Sequence, residues 1–350
     1  MIFSKTFLAK YDMTVLMEFL SQTDIMILSI ATLLLGMFIL VKGGDWTIDG
    51  AVEIARHFGM PPLLVGFTIV AFGTSLPELI ASINANLKGT PGLAIGNVIG
   101  SNIANILLIG GVSAMISPLI GNIRELRNDF IMAVFASLLW AYLLLTMPIG
   151  IAVGASAIGL LIGYIVMQYF LAKSGMQNAD PILKTEEKAE EQAPENHKKA
   201  FLMVFGGLVG LAVGAELLIR GSVTTARILN VPDSIIGLTI IAIGTSLPEL
   251  TTCAIAAMKK QSDVIIGNLI GSNVFNLMMI LGSMGLLRVY DVRISEQSML
   301  MQDMPIMIGV TILFVLILAI LKKIPRAVGA IFTLAYVAYM VLLAVQSLQG

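Results

Sequence analysis

Two glutamates stand where an apolar chain has least use for them. Glu78 lies in "AFGTSLPELIASINA" (71–85) and Glu249 in "AIGTSLPELTTCAIA" (242–256), each directly behind a proline. An acidic side chain at the centre of a membrane helix costs about 2.5–3.5 kcal/mol on insertion scales, so it is functional by default. Pro77 brings no amide hydrogen, so the carbonyl of Gly73 loses its helical partner and the turn before it opens. Carbonyls near Ala71 to Thr74 are then expected to be released where no water can satisfy them, and a bound cation is one way to do so. Thr74 precedes Glu78 by one turn, so a hydroxyl and a carboxylate share a helix face. The same logic covers Ala242, Thr245, Ser246, Pro248 and Glu249.

A second motif supplies the complement. "GNVIGSNIAN" (96–105) and "GNLIGSNVFN" (267–276) put Ser101 one turn before Asn105, and Ser272 one turn before Asn276. Each pair offers a hydroxyl and an amide oxygen together. Gly96, Gly100, Gly267 and Gly271 give G-x-x-x-G spacings that let helices approach closely. The set contains carboxylates, amides, hydroxyls and carbonyls, with no histidine or cysteine among them. Hard oxygen donors of flexible geometry suit Ca²⁺ or Na⁺, whereas a transition metal favours imidazole or thiolate. Taken singly, a proline kink beside Ser or Thr is common structure, and G-x-x-x-G is mostly packing. Duplication of the whole set favours a site.

The elements that must hold these residues are membrane helices. The chain has 350 residues and only 12% are charged, about half the share usual in soluble proteins. Continuous apolar runs recur from residue 25 onward, which excludes an alternating β-barrel pattern. Ten spans are expected, at 25–57, 62–87, 91–117, 126–147, 149–172, 200–229, 233–258, 262–287, 299–321 and 325–347. The first and sixth exceed the ~20 residues a crossing needs, so tilting or kinking is expected. Residues 1–24 form an N-terminal extension, either an interfacial helix or the product of a mis-assigned start. Residues 173–199 mix acids, bases and two prolines with almost nothing apolar, and read as a flexible linker. Cys253 is the one cysteine, expected as a small buried hydrophobe. Asp129 and Asp303 are expected to cap or snorkel at the starts of their spans. Asp45, Glu53 and Glu216 are expected at interfaces or as packing partners. With the N-terminus outside, the lysine and arginine excess falls on the cytoplasmic side, linker included.

A shift of 171 residues aligns the two halves without gaps over the region that holds the motifs. It carries both motifs, and also aligns Arg56 with Arg227, Lys88 with Lys259 and Gly66 with Gly237. Each half (25–172 and 200–347) holds five expected spans. An odd unit duplicated in tandem enters the membrane upside down the second time, giving the inverted repeats of secondary transporters. The fold class expected is an all-α polytopic membrane protein with ten transmembrane helices in two inverted five-helix repeats.

The paired motifs resemble the two α-repeats of the sodium/calcium exchangers, within the calcium:cation antiporter superfamily, and the linker's small size resembles the prokaryotic type. The resemblance implies outside termini, a cytoplasmic linker and a long first and sixth helix forming a sliding gate. It implies that Glu78 and Glu249 are carboxylates shared by Ca²⁺ and Na⁺. Thr74, Ser75, Thr245, Ser246, Ser101 and Ser272 would supply oxygens to Na⁺, and the carbonyls of Ala71 and Ala242 would complete the shells. Asn105 and Asn276 would lie at the middle; some members carry Asp at the second of these positions.

The function expected is secondary antiport of Ca²⁺ against Na⁺ across the cell membrane. The ions are substrates, and no cofactor, nucleic acid or obligate protein partner is expected beside the lipid bilayer. The alternatives are a proton- or potassium-coupled Ca²⁺ antiporter and, from another class, a cation channel. An intramembrane hydrolase finds no Ser–His or paired-Asp arrangement, because His57 and His197 lie outside the motifs.

Overall fold

The computed structural model describes residues 22–58, 60–146, 149–173, 197–229, 244–287 and 302–349. Within them the chain is almost wholly helical. Helix α1 is Gln22–Phe58, α2 Pro62–Thr74, α3 Leu76–Leu87, α4 Pro91–Ile116, α5 Ile123–Thr146 and α6 Ile151–Lys173. The second half follows with α7 His197–Ile228, α8 Leu247–Met258, α9 Ser262–Leu287, α10 Met304–Leu321 and α11 Arg326–Gln349. Leu119–Ile120 and Lys323–Ile324 make a two-residue antiparallel pairing, β1 with β2.

Eight of these helices are long and apolar enough to cross a bilayer, and α2 with α3, taken together across their bend, meets the same measure. Of the span expected at 233–258, only residues from 244 onward are described, so Ala242 lies outside the described residues. So do most of the N-terminal extension and of the linker.

Helices α1 and α7 are 37 and 32 residues long and run unbroken. The polar stretch "KGGDWTIDG" does not interrupt α1, and its glycines do another job. Gly36, Gly43 and Gly50 recur every seven residues on α1, as Gly207, Gly214 and Gly221 do on α7. A β-carbon on Gly43 would fall 2.7 Å from the Leu211 amide nitrogen and 2.8 Å from the Gly207 carbonyl oxygen. On Gly214 it would fall 2.6 Å from the Leu40 nitrogen. The two backbones therefore touch along their length, as small residues at fixed spacing allow in a membrane helix pair. Ser29 and Thr225 extend the seam with a hydroxyl contact of 2.9 Å.

Helix α9 is the most enclosed element and crosses α2 at backbone distance. Gly267 and Gly271 leave no room for a side chain against the carbonyls of Leu63 and Phe67. The close approach expected from G-x-x-x-G spacing is thus observed in α9. The equivalent partners of Gly96 and Gly100, residues 234 and 238, lie outside the described residues.

Two expectations are corrected here. Asp129 neither caps nor snorkels: α5 starts at Ile123, so Asp129 is already in its second turn and is buried. Tyr164 and Gln168 of α6 donate to it, the latter at 2.7 Å, which satisfies the acid inside the packed helix pair. Asp303 precedes α10 without a side-chain capping bond and instead accepts from the Tyr339 hydroxyl at 3.0 Å.

Candidate cation site

The site is built on breaks. Helix α2 ends at Thr74 and α3 begins at Leu76, bent by 43°. The linking Ser75 has φ −81° and ψ 1°, and Pro77 stands in the first turn of α3. Ser246, just before α8, repeats this with φ −89° and ψ 6°. Both glutamates thereby lie in the first turn of a helix, where the free amides carry partial positive charge that favours an acid. One expected detail changes. The Ala71 carbonyl is not freed, because it keeps the Ser75 amide at 3.1 Å; a proline removes the partner of the residue four back, which is Gly73. Ala71 retains one lone pair to offer.

The halves exchange contacts across these breaks. The Ser75 hydroxyl meets Glu249 Oε1 at 3.4 Å, and the Ser246 hydroxyl meets Glu78 Oε1 at 3.4 Å. Thr74 reaches across to Asn268 Oδ1, also at 3.4 Å. Each glutamate is only 1% exposed. Among the described residues neither forms an ion pair, and each keeps one carboxylate oxygen, Glu78 Oε2 and Glu249 Oε2, buried without a hydrogen-bond donor. Ser272 Oγ and Asn276 Oδ1 are in the same position.

The second motif stands on α4 and α9, which pack against α3 and α8. Each helix widens into a π-helical turn, at Asn105–Ile109 and at Asn276–Leu281, and each turn starts on the expected asparagine. Such turns recur at functional sites because they re-aim side chains and loosen one backbone bond. Ser101, Asn105, Ser272 and Asn276 are all buried, as are Thr74, Ser75 and Ser246; Thr245, at the break, is half-buried. Of the twelve residues expected here, the structure describes all but Ala242.

Several participants escaped the sequence reading. Asn102 and Asn273 link α4 to α9: Asn105 donates to Asn273 Oδ1 at 2.9 Å, and Asn276 donates to Asn102 Oδ1 at 3.1 Å. Asn97 donates to Ser82 at 3.0 Å, and its equivalent Asn268 donates to Cys253 Sγ at 3.2 Å. Cys253 is buried as expected, but as an acceptor in the place of a serine. The signal available was repetition: each of these polar residues or its substitute recurs 171 positions on, inside a buried run.

The two halves are not packed alike. Helix α1 lies along α8, where a β-carbon on Gly44 would fall 2.6 Å from the Ile255 side chain. Helix α7 makes no comparable contact with α3. The difference reaches the surface: Ile255 is 7% exposed, whereas its equivalent Asn84 is exposed and nearby Ile80 is 60% exposed. At the covered end Lys259 bridges Asp49 at 2.7 Å and Asp45 at 3.1 Å. Partial burial works to lower its ammonium pKa, but the two aspartates outweigh it and raise the value. The equivalent Lys88 is exposed and has no ion partner among the described residues, while Glu216, the equivalent of Asp45, pairs with Arg220 on its own helix.

A family model described as sodium/calcium exchanger protein matches residues 28–170 and 199–345, both halves and neither the linker nor the N-terminal extension. The chain belongs to the sodium/calcium exchanger family. It is 34% identical to the putative antiporter CaxA of Alkalimonas amylolytica over 91% of this chain and 99% of that one. It is 30% identical to the sodium/calcium exchanger MaX1 of Methanosarcina acetivorans, over 89% and 97% of the respective chains. A solved structure of the sodium-calcium exchanger NCX_Mj, soaked with zero Na⁺ and Ca²⁺, superposes with a TM-score of 0.76 at 30% identity, covering 91% of this chain and 99% of that one. Exchangers of this family are multi-pass membrane transporters, not enzymes, and Ca²⁺ and Na⁺ are their cargo rather than resident cofactors.

Proposed function

We propose that this family member is a Ca²⁺/Na⁺ antiporter of the cell membrane, working by alternating access at one midplane site shared by both ions. One observation carries the reading: two enclosed carboxylates, without a basic partner among the described residues, stand 3.4 Å from hydroxyls of the opposite half and each keep an oxygen unsatisfied. Leaving such oxygens buried is costly, and a cation relieves the cost. The spacing fits. Two oxygens each about 2.4 Å from one cation and at right angles lie about 3.4 Å apart, the separation found at both serine–glutamate contacts. A charge-assisted O–H···O⁻ bond is far shorter, about 2.5–2.7 Å.

In this reading the twelve residues from Ala71 to Asn276 act as the sequence suggests, with Glu78 and Glu249 holding the ions and the hydroxyls and amides completing the shells. Charge arithmetic makes the site an exchanger. Two ionised carboxylates repel each other in a low dielectric, so an empty pocket resists occlusion. One Ca²⁺ or two Na⁺ neutralise the pair and permit the switch. With ten spans in two inverted repeats and the termini outside, α1 and α7 slide as one tilted body over the ion-holding helices. The open face beside α3 is then extracellular, and the seal between α1 and α8 is cytoplasmic. In the opposite state the roles of the halves exchange: the Lys259 bridge opens, and Lys88 meets Glu216.

Access can be read directly. With Cys253 replaced by alanine, a cysteine at Asn84 is labelled by an impermeant thiol reagent from outside the cell, and one at Ile255 is not. Equal labelling of both contradicts the assignment of sides. Acid slows exchange, since a protonated carboxylate withdraws its charge from the pocket; Ca²⁺ flux that rises on acidification contradicts the shared site.

The function itself is tested in proteoliposomes loaded with Na⁺, K⁺ or choline, or carrying an acid interior, and diluted into radioactive Ca²⁺. Uptake several-fold faster from the Na⁺-loaded vesicles is expected. Uptake driven equally by K⁺ or protons alone would reassign the coupling ion, and unsaturable flux needing no counter-ion would make the protein a channel.

A further inference from the structure

Resting on the exchange reading above, we infer that Asn102 and Asn273 are positioning residues that turn the carboxamides of Asn276 and Asn105 so that oxygen, not nitrogen, faces the transported ions. An amide can present either end to a cation, and only the oxygen end attracts one. Nothing in an asparagine's own shape decides between them. A fixed reference is needed, and the backbone supplies it.

The Asn102 Nδ2 lies 3.3 Å from the Asn273 carbonyl oxygen, and the Asn273 Nδ2 lies 3.3 Å from the Asn102 carbonyl oxygen. A backbone carbonyl only accepts, so the NH₂ end of each side chain must point at it. Asn102 Oδ1 is thereby directed at Asn276, and can be met only by a donor, the Asn276 NH₂, at 3.1 Å. Asn276 Oδ1 is left on the far side, buried and without a hydrogen-bond donor. The other half repeats the sequence: the Asn273 NH₂ is committed to backbone, its Oδ1 takes the Asn105 NH₂ at 2.9 Å, and the Asn105 oxygen turns away. Asn102 and Asn273 are themselves buried, so no water competes for these bonds. The Asn102 NH₂ also touches the buried Met307 sulfur at 3.6 Å, a weak acceptor that reinforces the same orientation.

The reciprocal backbone bonds have a second effect. They tie α4 to α9 at equivalent points of the two halves, so the two amide ligands are held in register with each other whichever side of the pocket is open. The relay acts at Asn276 because that residue carries an amide. An aspartate there presents oxygen at both ends and needs no orientation.

That difference is the test. In Na⁺-loaded proteoliposomes, Asn102→Ala raises the apparent KM for Ca²⁺ about tenfold with a much smaller change in maximal rate. In a background carrying Asn276→Asp, where Asn102 Oδ1 faces a carboxylate oxygen instead of a donor, the same Asn102→Ala change removes that acceptor–acceptor contact and does not raise KM. A merely structural role for Asn102 predicts the same loss in both backgrounds, and that result overturns the relay. The matching cycle with Asn273→Ala and Asn105→Asp asks the question independently, should Asn102→Ala fail to fold. Wild-type flux is measured alongside: a wild type without Na⁺-dependent uptake removes the exchange reading, whereas an active wild type with an unaltered Asn102→Ala KM removes the relay alone.

Discussion

Glu78→Gln stops calcium transport, and Glu249→Gln does the same. Glutamine keeps the length of the side chain and its oxygen, but removes one of the two charges that, on the proposed function, neutralise the ion. Deleting one partner of an enclosed charge contact costs about 2–5 kcal/mol, which is roughly 30- to 5,000-fold in apparent affinity. Radioactive Ca²⁺ uptake into Na⁺-loaded vesicles, followed over a wide range of Ca²⁺, measures the loss. The two variants should behave alike because the structure treats the residues alike: each is enclosed in the first turn of a helix after a broken serine, and each meets a hydroxyl from the opposite half at 3.4 Å. A large loss at one glutamate with none at the other contradicts a site shared between halves.

The second large effect lies away from the ions. Gly43→Leu, or Gly214→Leu, destroys the contact between α1 and α7. The atoms a new β-carbon would meet at Gly43 are backbone, at 2.7 and 2.8 Å, so no side-chain rotation relieves the overlap and the helices must separate. Overpacking in a tight core costs about 1–3 kcal/mol, and a clash against backbone lies at the upper end. Transport is lost and the purified protein melts at a lower temperature. Gly159→Ala in α6 is the control: a β-carbon there meets nothing within 4 Å, so stability holds or rises slightly. Unchanged flux in Gly43→Leu would mean that α1 and α7 do not need to move as one body.

Much of the candidate site's arrangement was legible in the chain because the same physics was written twice. The prolines at 77 and 248 mark helix breaks, and the acids behind them are too costly to be decorative. Among the described residues, and leaving aside the span expected at 233–258, the helices fall within a few residues of their expected limits, since apolar length is what a bilayer demands. Other features were hidden for identifiable reasons. Asn102 and Asn273 stand inside motifs already prominent for Ser101 and Asn105, and only their bonds to backbone distinguish positioning from ligation. The π-helical turns at Asn105 and Asn276 arise from packing between α4 and α9, which no local pattern records. Asp129 resembled a span-end acid until α5 proved to begin a turn earlier and Tyr164 and Gln168 were found against it.

The unequal packing of the halves was beyond any reading of a repeat. Near-identical motifs predict two equivalent gates, yet Lys259 is bridged to Asp45 and Asp49 while Lys88 is not engaged by Glu216. Exposed bridges of this kind are worth only about 0.2–1 kcal/mol each. That is too little to dictate the fold and enough to bias one of two nearly equal states. Lys259→Glu places a third acid beside the two aspartates and shifts the protein toward the opposite opening.

Equilibrium binding of radioactive Ca²⁺ to the purified protein at increasing Na⁺ tests the whole account most directly. If the two enclosed carboxylates serve both ions in turn, the number of Ca²⁺ sites stays constant. The apparent Kd then rises with a log–log slope of about two or more, because at least two Na⁺ must leave before one Ca²⁺ enters. A Kd indifferent to Na⁺ would mean that the ions occupy separate places, and the shared pocket would be wrong.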